Sequence, residues 1–166
     1  MLSKYLIKKD FNLIGRINLE LKMNIDTVVI LYERIMKNED CRINMTIYNN
    51  NTYFCEYVYN NSGKQSRYNI SKNNELLKIN ENNVFSDMEL YPVELIYFIW
   101  YIIKKDKSIG IFDINQMLFC GLQFKKEDEF LHFIFPQNIM ARYTKKEKKL
   151  KEICNPKAGI KCILIE

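Results

Sequence analysis

Histidine, glycine, proline and tryptophan are scarce in this chain. A single histidine, His132, confines any histidine-dependent chemistry to one position. Five glycines leave little material for a nucleotide-binding loop, and neither Gly-rich phosphate pattern occurs. HExxH and GxSxG are missing as well. The five cysteines, Cys41, Cys55, Cys120, Cys154 and Cys162, are odd in number and form no CxxC. That argues against a disulfide framework and against zinc, and reduced thiols buried as small apolar groups are expected. No metal or cofactor is expected. The longest unbroken apolar run, residues 95–103, covers about 14 Å as a helix, whereas a membrane span needs about 20 residues. The opening MLSKYLIKKD holds no apolar stretch of signal-peptide length. A cytoplasmic protein without a membrane partner is the expectation.

What is abundant tells less about function. Ile, Lys, Asn, Tyr and Phe supply 83 of 166 residues, and Ala, Gly, Pro and Arg together only 15. The first group has AT-rich codons and the second GC-rich ones, so an AT-biased genome accounts for the contrast. The Asn runs and part of the net charge of +5 carry correspondingly less weight. A chain with 27% charged and 48% hydrophobic residues is globular, and its length suits a single domain, 1–166.

Patterning predicts an alternation of elements. Residues 16–24 alternate polar and apolar without a fault, as a half-buried strand does. Residues 27–37 carry Val28, Leu31, Tyr32 and Ile35 at helical spacing, with Asp26 as a cap, and predict a helix. Residues 42–79 read as a meander with turns at Asn49–Asn51 and at 60–63. Pairing Tyr48 with Thr52, and Tyr59 with Lys64, gathers Ile43, Met45, Ile47, Tyr53, Cys55, Tyr57, Tyr68 and Ile70 on one face. The other face carries Arg42, Asn44, Glu56 and Arg67, with Glu56 opposite Arg67. A fourth strand follows near residues 76–79. The run 92–105, which holds Trp100, predicts a buried central helix opened by Pro92 and closed by Lys104 and Lys105. Residues 117–124 and 129–135 predict a hairpin with Cys120 opposite Phe133. A capping box at Thr144–Glu147 predicts a helix to Cys154, and residues 159–165 a last strand. The fold class that results is α+β: a largely antiparallel sheet, meander plus hairpin, packed on a central hydrophobic helix.

Three kinds of chemistry have candidates. Cys120 and His132 are the obvious nucleophile and base, but the hairpin register turns His132 to the opposite face. The acidic groups Asp87/Glu89/Glu94 and Glu127/Asp128/Glu129 read as helix-start and turn solvation rather than as a metal site. No catalytic residue is assigned. The meander tyrosines raise base stacking on a sheet, yet only Tyr48 falls on its polar side. The strongest non-core signal is the segment 142–151, RYTKKEKKLK, with six cations and one anion. Arg142, Lys145, Lys146, Lys148, Lys149 and Lys151 are its candidate partner- or phosphate-binding residues. A Lys-rich solvated face is the plainer reading.

These observations favour a small, non-catalytic binding protein. The expected form is a bacterial or phage accessory factor that regulates or inhibits a macromolecular partner, most simply a protein, by direct contact. The alternatives are an RNA- or DNA-binding module built on 142–151, and an enzyme with a dispersed carboxylate or thiol site.

Overall fold

Period-two alternation, rather than helical stripes, dominates the architecture. The computed structural model describes residues 1–48, 52–99, 109–127, 130–135, 139–144 and 149–166. Among them the elements are β1 (Leu2–Lys9), β2 (Asn12–Met23), β3 (Thr27–Met36), β4 (Glu39–Tyr48), β5 (Thr52–Asn61), β6 (Lys64–Asn73), β7 (Leu76–Ile79), β8 (Asn82–Phe85), β9 (Glu89–Pro92), α1 (Ile96–Ile99), β10 (Ile109–Asp113), β11 (Leu118–Gly121), β12 (Gln123–Glu127), β13 (Phe130–Phe135), β14 (Ile139–Tyr143), β15 (Leu150–Asn155) and β16 (Ile160–Leu164). The α+β expectation is overturned: the described residues are nearly all antiparallel sheet, with one four-residue helix.

The chain divides into two compact units. Unit 1 comprises Met1–Leu6, Ile14–Asp87 and Ile165–Glu166; unit 2 comprises Ile7–Leu13 and Met88–Leu164. In unit 1 every strand from β2 to β8 pairs antiparallel with its sequence neighbour. One face is buried: Leu19, Leu21, Ile30, Ile43, Met45, Cys55, Tyr57, Ile70 and Leu77 are all 2% exposed or less. Residues between them point outward, as the strand period requires.

The helix expected over 27–37 is β3. Thr27, Val28, Val29 and Ile30 are β-branched, which favours strand. Nine-residue ladders to β2 and β4 then satisfy the backbone on both sides of this strand, and the apparent helical spacing gives way. In the meander the Tyr48–Thr52 register is as expected, but β5 and β6 pair Tyr59 with Ser66 and Asn61 with Lys64. The difference is two residues, so every side chain keeps its face. The turn decides it: Ser62 and Gly63 both have positive φ, 52° and 84°, the tight two-residue hairpin geometry. Glu56 consequently opposes Asn69 rather than Arg67.

Unit 2 holds β12-β13-β14-β15-β16 as an antiparallel sheet and β11-β10-β9 as a smaller one, in which β9 and β10 are parallel. The expected central helix does not begin at Pro92: residues up to Pro92 belong to β9, the Leu95 N–H donates to the Pro92 carbonyl, and Ile96–Ile99 are helical among the described residues. The rest of that expected helix, 100–105, lies outside the described residues. Leu95, Ile96 and Phe98 are buried, so the segment contributes to a core without organising the chain.

The hairpin expected from 117–124 and 129–135 is redistributed. Strand β11 pairs with β10, placing Cys120 opposite Ile111, and β12 pairs with β13, placing Phe124 opposite Phe133. Of the helix expected from Thr144 to Cys154, the residues from Leu150 onward are strand β15, and 145–148 lie outside the described residues. Instead of capping a helix, the Thr144 hydroxyl accepts the Lys149 N–H at 3.0 Å and closes the β14–β15 connection. No helix among the described residues is long and apolar enough to cross a membrane.

Burial sets an alkaline limit on stability. It pushes the Cys162 thiol up to about 12 and raises the Tyr91 and Tyr97 phenols well above their usual value of 10.0; the Glu89 carboxylate beside Tyr91 adds to the effect. In the unfolded chain these groups ionise from their ordinary values, 9.0 for the thiol and 10.0 for the phenols. Above those values the unfolded state binds fewer protons, so stability falls as pH rises. The Cys162 contribution is absent below about pH 9 and grows toward pH 12. Urea midpoints at about pH 7 and pH 10.5 should show the loss, and Cys162→Val should flatten part of it. Equal midpoints would contradict the burial of these groups.

Candidate binding surface

The described residues of the basic segment 142–151 lie on β14, on β15 and at the ends of the connection between them. Arg142 lies on β14, where Glu152 is its cross-strand partner, with Nη2 3.4 Å from Glu152 Oε2. Lys161 approaches the same carboxylate at 3.3 Å. Lys149 follows the β14–β15 connection and Lys151 lies on β15, both half-buried. Lys145, Lys146 and Lys148 lie outside the described residues. Arg142 therefore has an Nη, the fork side of its guanidinium, engaged by a carboxylate and is only 39% exposed, which weakens it as a phosphate ligand.

The chemical candidates are likewise separated. Cys120 is in the three-stranded sheet, whereas His132 is on β13 opposite Lys125 and Met140. Burial raises the Cys120 thiol, which makes it a poorer nucleophile. Glu89 is buried on β9 and accepts a 3.3 Å hydrogen bond from the Tyr91 hydroxyl, while Asp87 is exposed. Asp128 and Glu129 lie outside the described residues. Among the described residues no group of three or more His, Cys, Asp or Glu side chains could hold a metal ion.

A different surface gathers side chains that sequence reasoning had left apart. On the outward face of unit 1, strand pairing aligns Asn18, Glu33, Arg42, Val58 and Arg67 in one row across β2–β6. The next row holds Glu20, Leu31, Asn44, Glu56 and Asn69. All of these residues except Asn69 border an open concavity of about 510 Å³. Glu33 ties the first row together. Its Oε2 accepts from Asn18 Nδ2 at 2.9 Å and its Oε1 from Arg42 Nε at 3.0 Å. Arg67 Nε reaches diagonally to Glu56 Oε1 at 3.5 Å, so the two-residue shift in register keeps this pair within reach.

Beyond these rows the same face turns apolar. Phe54 lies one row past Glu56, and Tyr48 lies diagonal to Phe54. They are 51% and 47% exposed, and Phe85 on the end strand β8 is 77% exposed beside its partner Leu76. The sequence reading left only Tyr48 on this face. Phe54 was legible in principle, because it shares the parity of Glu56 and Thr52 in the expected register. The surface thus joins an aromatic end to a charged, hydrogen-bonded flank. No protein-family model, curated protein or solved structure matches the chain.

Proposed function

We propose that this chain is a cytoplasmic, non-catalytic binding protein that regulates or inhibits a protein partner by direct contact through the outward face of β2–β6. The observation that carries this reading is the exposure of Tyr48 and Phe54 on the same face as the row that holds Arg42 and Arg67, with the Glu56 row between them. Protein interfaces have that anatomy: aromatic anchors that lose their water, flanked by arginine and a polar rim. Five free cysteines accord with a reducing compartment. The mixed signs on the face favour a partner with its own pattern of charges, since Glu33 and Glu56 stand beside the arginines.

The test is recovery of a stoichiometric partner from nuclease-treated host lysate, comparing the natural chain with Tyr48→Ser/Phe54→Ser. Both side chains project from strands on the exposed face, so the double variant is expected to fold. Its recovery of the partner should fall by about tenfold or more, as expected for removal of interface anchors. Undiminished recovery by the variant would refute this surface, and recovery abolished by nuclease would move the function to nucleic acid.

A further inference from the structure

We infer that the segment of the partner seated on this face is acidic, with two carboxylates held by Arg42 and Arg67; the inference rests on the protein-binding reading above. Arg42 and Arg67 lie on β4 and β6, in one row, with Val58 of β5 between them. Two strand spacings set their backbones about 10 Å apart. Each guanidinium meets its own carboxylate through Nε, Arg42 on Glu33 and Arg67 on Glu56. No further hydrogen bond or ion pair engages either guanidinium among the described residues. The Nη atoms therefore remain open, and they carry the donors that bind a carboxylate two at a time.

Exposure shows which charge a visitor meets first. The Arg42 and Arg67 side chains are 67% and 63% exposed, while Glu33 and Glu56 are 30% and 41% exposed. The carboxylates are less exposed and hold the guanidiniums through Nε from the neighbouring strands, which orients the forks in advance. Asn18 fixes Glu33 in turn. Between the two forks, Val58 offers an apolar floor for the stem of the incoming segment.

The arrangement selects discrete anions over a continuous one. A nucleic-acid backbone carries a charge at every nucleotide and would pass over Glu20, Glu33 and Glu56 as well as the arginines. A protein segment can place two acidic side chains at the forks and leave neutral or basic ones over the glutamates. The matching separation is about 10 Å. On a helix that corresponds to acidic residues seven apart; in an extended chain, where side chains share a face only at every second residue, the bracketing separations are two and four residues, about 7 and 13 Å.

Fluorescence polarisation with labelled peptides tests this. The probes are extended and helical peptides, each carrying two glutamates at one of those separations, their glutamine counterparts, and a short oligothymidylate as a continuous polyanion. The glutamate peptide of one class should bind at least about tenfold more tightly than its glutamine counterpart, with affinity falling as salt rises. Arg42→Gln/Arg67→Gln should remove that difference, and Arg42→Lys/Arg67→Lys should restore only part, since lysine has charge without the fork. Equal affinities for glutamate and glutamine peptides overturn the inference, as does full binding by the glutamine double variant. Tighter binding of oligothymidylate than of any glutamate peptide also overturns it.

The lysate experiment separates this inference from the function it rests on. Loss of the partner with both the arginine and the aromatic variants supports the two together. Loss with Tyr48→Ser/Phe54→Ser alone keeps the binding function and refutes the acidic segment. Loss with neither refutes both.

Discussion

Replacing Tyr57 with alanine is expected to destabilise unit 1 by about 3–5 kcal/mol, the range for deleting a buried aromatic ring. Tyr57 is fully buried near the middle of β5, opposite Ile43 of β4 and Tyr68 of β6. Its ring meets Tyr68 edge to face, with centroids 6.2 Å apart and planes at 67°. Such aromatic pairs add about 0.5–1.5 kcal/mol beyond area burial. Alanine removes that contact and leaves a cavity that paired strands on either side cannot easily close. Domains of this size are stable by about 5–15 kcal/mol, so much of the margin would go. Tyr57→Phe keeps the ring and should cost about 1 kcal/mol. Urea unfolding of the three proteins checks the order. A Tyr57→Ala midpoint equal to that of Tyr57→Phe would mean that the ring is not packed as described.

Gly110→Ala should be as damaging through a different mechanism, and Gly121→Ala supplies its control. The two glycines face each other across the β10–β11 ladder. A Cβ at Gly110 would lie 2.9 Å from the Cys120 carbonyl oxygen and 2.7 Å from Leu90 Cδ2. Leu90 can rotate, but the carbonyl belongs to the neighbouring backbone, so the ladder itself must shift. At Gly121 the nearest atom is Met88 Sδ at 3.3 Å, the adaptable part of a thioether side chain. The expected cost is at or above the upper end of about 1–3 kcal/mol for overpacking at Gly110, and about 1 kcal/mol or less at Gly121. Denaturation midpoints and soluble yield of the two single variants measure this. Equal effects would show that backbone approach is not what demands glycine at 110.

The meander shows why part of the fold could be read in advance. Between residues 42 and 79 the apolar residues alternate, and of the eight expected on the apolar face Ile43, Met45, Tyr53, Cys55, Tyr57 and Ile70 are buried, while Ile47 and Tyr68 are half-buried. Even the two-residue error at β5–β6 left it intact, because side chains repeat every two residues along a strand. Residues 27–37 and 144–154 misled for the converse reason. Their spacing and capping residues fit a short helix locally, but a strand in a sheet gains its hydrogen bonds from residues distant in sequence. Thr144 illustrates the point: its hydroxyl caps Lys149 across a hairpin, a partner within one turn of the position a helix would have used. The run 92–105 was apolar enough for a buried helix, yet Pro92 ends β9 alongside β10, whose pairing only the assembled sheet supplies.

The candidate surface divides in the same way. The residue types were plain, and parity assigned Arg42, Asn44, Glu56 and Arg67 to one face. The combination of Arg42 and Arg67 into a row with Asn18 and Glu33 required β3 to be a strand, which carries Glu33 to Arg42 on one side and to Asn18 on the other. The basic segment 142–151 drew notice because it concentrates charge in sequence, whereas in space Arg142 is matched by Glu152 of the adjacent strand.

By itself, the sequence determined which residues share a face wherever alternation was clean, since side chains alternate along a strand, but not their burial at strand ends, where Met23 is 63% exposed. It also limited histidine chemistry to one position and glycine-loop phosphate binding to almost none. Tertiary structure alone decided that residues 27–36 and 150–155 are strands, and that Arg42 and Arg67 share a row with Val58. The reason is that strand pairing is non-local: a backbone hydrogen bond between neighbouring strands depends on two separate stretches of chain, and no window along one of them contains the other.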